Sequence, residues 1–244
     1  MRKHLLVSMM ALAAAGTAAA DDTWTGAYVG LSVGQTNADS SQAATLGGNW
    51  TTEPSALQTR VTDSLSRSFD ANGTSWGVQG GYDWGFADKA VFGLVLDYND
   101  FNAKQIDTTS STGSPNYTIV QGFEVKDSYS LRGRLGYGGK RVMPYVSLGY
   151  ASTKVEFATG LASNGGYAKA GGVTDRFSGT VWGAGLEFKF NDNWSGQLEY
   201  LDYAGGDADY VLAYLPGSTF PGYSETIHQE FDLDTIRFSL NYRF

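Results

Sequence analysis

Nine charged residues share one placement in this 244-residue chain. Asp83, Asp97, Arg132, Arg134, Glu187, Lys189, Glu199, Arg237 and Arg243 each fall in a segment of alternating character, on the parity opposite its apolar residues. Acids and bases enclosed together have two uses. They can pair into a hydrogen-bonded network that braces the wall around them, or they can line a narrow passage for solutes.

A second set lies in a polar stretch near the C-terminal end. Asp202, Asp207 and Asp209 offer the carboxylates that calcium takes, but "GGDAD" lacks the spacing and repetition of a calcium loop. His228, with Tyr210, Tyr214 and Tyr223, offers side chains that serve as axial haem ligands. A single histidine in a polar stretch reads more simply as exposed. Catalytic signatures are missing: the sequence has no H-E-x-x-H and no histidine matched to a serine or cysteine, and "GYGGKR" lacks the spacing and the Ser/Thr of a phosphate loop. The expectation is a protein without enzymatic activity, metal or cofactor.

The first residues, "MRKHLLVSMMALAAAGTAAADD", read as a secretory leader: a basic start, an apolar run, and small residues before a cut between Ala20 and Asp21. Residues 1–20 are then a signal peptide and 21–244 one domain. The chain has no cysteine, which excludes disulfides and thiol chemistry. Losing Arg2 and Lys3 leaves 15 bases against 25 acids, a balance that argues against nucleic acid as a partner. No apolar run after the leader is long enough for a membrane helix.

The elements that must position the nine charges are strands. Period-2 alternation marks 24–35, 75–86, 90–101, 126–137, 142–155, 177–190, 194–203 and 234–244. In "SWGVQGGYDWGF", Trp76, Val78, Tyr82, Trp84 and Phe86 share one face, while the other is Gly, Gln, Ser and Asp. The connections alternate long and short: 36–74, 102–125, 156–176 and 204–233 are long, and 87–89, 138–141 and 191–193 are short. In an up-and-down meander that puts every long connection at one end, which a soluble sandwich has no reason to do. Outer-membrane barrels sort their loops this way and face their small and polar residues inward. The fold expected is all-β, an eight-stranded antiparallel up-and-down transmembrane β-barrel. Trp84, Phe86, Phe92, Tyr137, Phe188, Phe190, Trp194, Tyr242 and Phe244 flank the short turns as a periplasmic aromatic girdle. Trp76, Tyr98, Tyr129, Tyr150 and Tyr200 supply an outer one.

The segments "WTGAYVGLSVG", "GVQGGYDW", "LRGRLGY", "RVMPYVSLGYA", "WGAGLEFKFNDNWSGQLEYLDY" and "IRFSLNYRF" resemble the small porin-like outer-membrane β-barrel proteins of Gram-negative bacteria. The resemblance covers the strands, about half of the chain beyond the leader. It implies a surface antigen of the cell outer membrane, in a family where some members are described as haemin-binding. It also implies that Phe244, with Leu240 and Tyr242, serves as the signal read by the barrel-assembly machinery. The expected partners are outer-membrane lipid, that machinery, and ligands or host molecules met by the loops. A small-solute channel and a haem receptor stand as the alternative functions.

Overall fold

The computed structural model describes residues 24–86 and 89–244. The expected leader, with Ala20 and Asp21, lies outside the described residues. The strands run in chain order as β1 (Gly26–Gly48), β2 (Arg67–Gly85), β3 (Ala90–Ser111), β4 (Tyr117–Tyr137), β5 (Val142–Ser163), β6 (Ala168–Lys189), β7 (Trp194–Val211), a two-residue β8 (Ala213–Tyr214) and β9 (Tyr223–Arg243). A helix, α1 (Ser55–Leu65), joins β1 to β2.

Neighbouring strands pair antiparallel around a ring of eight, with β1 bonded to both β2 and β9 and β5 to β6, while β8 stands aside in a hairpin tip. Closure is obligatory in lipid, where an open edge leaves backbone groups unpaired. In the half of the ring nearest the short turns, the outward side chains are apolar and exposed: Leu31 67%, Leu148 65%, Leu186 42% and Leu240 42%. Such exposure is costly in water and fits a hydrocarbon surround. The aromatics lie at the two margins of this band. Trp194 and Tyr242 sit 5.2 Å apart at the turn end, and Tyr98 and Tyr129 sit 4.9 Å apart at the other. Asp100, Asp127, Asp202 and Asp234 follow at the outer margin, where the continuous band of apolar outward residues ends.

The strands do not stop there. Each continues well past its expected end, so the spans anticipated as long loops are mostly strand. The hairpin tips are only 49–66, 112–116, 164–167 and 212–222. The reason is an inversion along each strand. On β9, Ile236, Phe238 and Leu240 point out, whereas Leu233, Phe231 and Ile227, on the opposite parity, point in and are 3% exposed or less. On β5, Val146 and Leu148 point out, and Val155, Phe157 and Leu161 point in. On these two strands the backbone parity is continuous, and the apolar residues change sides because the solvent changes from lipid to water. On β4 and β7 a register shift changes the inward parity instead, from Arg132 and Ser130 to Val125 and Phe123 and from Leu201 and Tyr203 to Tyr210.

Above the band the ring splits into a pair of sheets. The β2–β3 ladder ends at Ser75 and Phe101, and the β6–β7 ladder ends at Val181 and Tyr203. Beyond those points β2, β1, β9 and β7 remain paired as one sheet, and β3, β4, β5 and β6 as another. Register shifts at Asp100/Ala103, Val125/Asp127 and Tyr203/Gly206 re-aim the strands at this junction. Backbones come close there: a Cβ on Gly205 would sit 1.6 Å from the Phe231 carbonyl oxygen, and one on Gly73 2.0 Å from that of Asn102. The two sheets enclose an apolar core in which Phe231 of one meets Phe157 and Phe177 of the other at 5.9 and 5.5 Å. The molecule is thus a membrane barrel carrying a sandwich head.

Candidate functional site

All nine sequence-predicted charges point into the ring. Eight of them form two layers. Nearer the turn end, Asp83 and Glu187 meet Arg134 and Arg243. Arg134 pairs with Asp83 through both carboxylate oxygens, its Nε at 2.8 Å, and its Nη1 stands 2.9 Å from Glu187 without hydrogen-bond alignment. Arg243 Nη2 lies 2.7 Å from Asp83 and 3.4 Å from Glu187. Higher up, Asp97 and Glu199 meet Arg132 and Arg237. Arg132 donates to Glu199 at 2.6 Å and to Asp97 at 2.9 Å, and Arg237 to Glu199 at 2.7 Å and to Asp97 at 3.3 Å.

In each layer both arginines bridge the same two acids, so each layer is neutral. All eight side chains are 5% exposed or less. Charges taken out of water are tolerable only when paired and hydrogen-bonded in this way. Aromatic faces complete the lower layer: the Arg134 guanidinium lies 4.8 Å from the Tyr28 ring and 5.2 Å from that of Tyr145. Lys189, the ninth charge, stands apart with its amine 4.9 Å over the Trp24 ring.

An amide layer, which the sequence reading missed, joins the two charged ones. Gln79 Nε2 donates to Gln197 at 2.8 Å and to Asn241 at 2.7 Å, and Asn241 donates to Gln197 at 3.0 Å. Gln79 Oε1 accepts from Arg237 at 3.2 Å, and Gln197 donates to Tyr145 at 2.5 Å. The signal was available, since these amides share the inward parity of the charges. Together the layers fill the ring at membrane depth, and the aromatic core fills it above.

The hairpin tips close over the head around a second buried acid. Glu225, 0% exposed, accepts from Trp50 Nε1 at 2.5 Å and from Tyr167, and pairs with Lys169 at 2.6 Å. Burial and the Glu225 bond push the Tyr167 hydroxyl pKa far up. A bond to Glu53 raises that of Tyr223 to about 12.

The loop constellations are not assembled as donor sets. His228 points outward between Asp209 at 2.7 Å and Glu230 at 3.3 Å, and the Asp209 bond, aided by Glu230, holds its pKa above the ordinary histidine value. Tyr210 points inward to Thr159 and Gln229, and Tyr214 bonds the tip carbonyls of Phe220 and Tyr223, so none of these converges with His228 on a haem. Asp207 and Asp209 join Asp39, Asp70, Glu230, Asp232 and Asp234 on the outer face of the β1 sheet. Among the described residues no three acid or histidine side chains are placed to share a metal. The other sheet's outer face is balanced, with Lys104, Glu124, Lys126 and Glu156 linked in a chain of ion pairs beside a groove of Ile106, Val120 and Gly160.

Residues 5–244 match the model of the outer membrane protein beta-barrel domain. A 31 kDa outer-membrane immunogenic protein of Brucella melitensis is 28% identical over 235 residues, 94% of this chain and 88% of the relative. A 25 kDa outer-membrane immunogenic protein of Brucella abortus is 31% identical over 162 residues, 66% of this chain and 62% of the relative. Among solved structures, the outer membrane protein OprG of Pseudomonas aeruginosa aligns over 90% of this chain and 97% of its own, with 17% identity and a TM-score of 0.42. Inward neutral charge layers, an outward apolar band and this family match agree: the chain belongs to the outer membrane protein beta-barrel domain family and is an eight-stranded barrel of the outer membrane.

Proposed function

We propose that the protein is a non-enzymatic, non-conducting barrel whose lumen charges brace the wall and whose sandwich head is displayed at the cell surface. The observation that carries this reading is the bridging of both acids by both arginines in each layer. Every strand of the ring except β1 and β5 contributes a charge or an amide to these layers. Those two supply aromatic support, Tyr28 of β1 against Arg134 and Tyr145 of β5 bonded to Gln197. A conducting path would have to force open both neutral layers and then the aromatic core. The names of the Brucella relatives, immunogenic outer-membrane proteins, support surface display.

In this reading a signal peptide exports the chain, the assembly machinery inserts it, and lipid surrounds the apolar band. The head, with one acidic and one charge-balanced face, meets ligands or host molecules. Planar-bilayer recording of purified protein is the direct test. The expected result is no steady conductance from the wild-type chain, and well-resolved unitary currents would replace the bracing reading with a channel.

A further inference from the structure

We propose that α1 is a displaceable stopper and that the space Val61 and Leu65 fill between the two head sheets takes a single-chain acyl ester or amide when α1 leaves it. The inference goes beyond the bracing reading and does not depend on whether the lumen conducts.

Two buried amides from opposite sheets converge on one oxygen. Gln42 of β1 and Gln121 of β4, 4% and 1% exposed, both donate to the carbonyl of Leu65, at 2.8 and 2.7 Å. Thr159 donates to Gln42 Oε1 at 3.0 Å and so fixes which end of that amide faces Leu65. The Leu65 and Val61 side chains, both 0% exposed, enter the apolar core that the sheets enclose. The site therefore already holds a carbonyl joined to an apolar body, supplied by the chain itself.

The helix that supplies it is weakly held. It has no side-chain cap at its start, no acid in its first turn and no base in its last, and only Val61 and Leu65 are buried. It packs mainly against β1 and reaches β3 and β4 across the gap where β2 and β3 no longer share hydrogen bonds. Its outer latch is Arg60, which donates to the carbonyls of Thr112 at 2.8 Å and Pro115 at 3.0 Å. If α1 swings out, Gln42 and Gln121 are left as buried donors that need an acceptor. Both donors are uncharged, which favours a neutral carbonyl over a carboxylate whose burial calls for a cation. The acyl tail would take the volume of Val61 and Leu65.

The test uses the full barrel in lipid nanodiscs and a fluorescent long-chain acyl methyl ester, with empty nanodiscs as the baseline. The alkane and the free acid of equal length serve as competitors. Arg60→Ala frees the stopper without touching the site, so apparent affinity should tighten about tenfold as the open fraction grows. Amide exchange at 55–65 should speed up while the strands stay protected. Gln42→Leu with Gln121→Leu, in the Arg60→Ala background, should reduce ester binding to the level of the alkane. Should that variant misfold, Gln121→Met, which keeps the volume and removes the donor, should do the same. Saturable binding that prefers ester to acid and alkane, with these responses, supports the proposal. No binding above empty nanodiscs in Arg60→Ala, equal competition by ester and alkane, or full affinity after the glutamine changes would overturn it.

Discussion

Arg132 and Glu199 stand 2.6 Å apart although they lie on β4 and β7, which share no backbone hydrogen bond. Their pairing is a strut across the lumen, and Arg237 on β9 locks the same carboxylate from the other side at 2.7 Å. Glu199→Gln keeps the shape and removes the charge that both arginines share. Unfolding in urea should show a loss of about 3 kcal/mol, the cost of leaving one side of a buried pair uncompensated. Removing Arg132 as well should recover some of that loss, and the double-mutant cycle should give a coupling above about 1 kcal/mol. A coupling near zero would show that the strut bears no load.

The lipid band makes a depth prediction. Leu94 and Leu186 are outward and 41% and 42% exposed. Arginine at either, near mid-membrane, should cost about 2–4 kcal/mol. Spin labels at 184, 186 and 188 should contact lipid, and labels at 183, 185 and 187 should not. Equal accessibility of both sets would contradict the band.

Much of this was legible in the sequence. All eight strands were found at their membrane segments, because lipid enforces alternation there. The head was not recognised as strand. At Asp234 on β9 the apolar parity slips from Ile236 and Phe238 to Leu233 and Phe231. That slip reads as a strand end, when it marks the change of solvent on an unbroken strand. "TIHQEFDLD" alternates plainly enough to have revealed it. "DANGT" and "DTTSSTGSP" carry no such pattern, and their turn-rich composition hides edge strands of the separated sheets. The charged layers were legible by parity, while their pairing into two neutral sets was not, since register across the lumen is set by the whole ring.

The head also changes what a protease should reach. Trypsin added to intact cells should cut at Arg60 in the first tip. It should spare Lys104, Lys126 and Lys154, although the Lys104 side chain is 51% exposed, because their backbones are held in ladders. A tag at Asp192, in a short turn, should stay undetected until the outer membrane is opened. Rapid cleavage at Lys104 would mean that 102–111 is a loop after all.

His228 gives the head a pH dependence of known sign. Its folded pKa is raised above 6.5 by Asp209 and then Glu230. The stabilisation is therefore fully present below about pH 6.5 and is lost as pH rises through the folded value. The pair is partly exposed and screened, so the effect should stay under about 1 kcal/mol. Hydrogen exchange on β9 near 226–230 should quicken from pH 6 to pH 8, after correction for the intrinsic rate, and His228→Gln should flatten that change. A change of the opposite sign would show that Asp209 and Glu230 do not stabilise the charged ring.

Phe244 separates two roles. Its backbone N–H donates to Ala27 at 3.0 Å, adding a bond where β9 meets β1, while the residue is 74% exposed and its ring meets that of Tyr242 at 5.2 Å. As a girdle residue it gains from the lipid headgroup level and little from protein packing. Phe244→Ala should then weaken the barrel by a similar, small amount in cells and after refolding into detergent. As the signal read by the assembly machinery, it acts before the barrel exists and its side chain must be free to be grasped, which the high exposure allows. The same substitution should then leave refolding in detergent unchanged, while insertion in cells slows and precursor collects in the periplasm. Pulse-chase labelling in cells beside refolding in detergent distinguishes them. Equal defects in the two settings favour the girdle, and normal insertion in cells removes the assembly role.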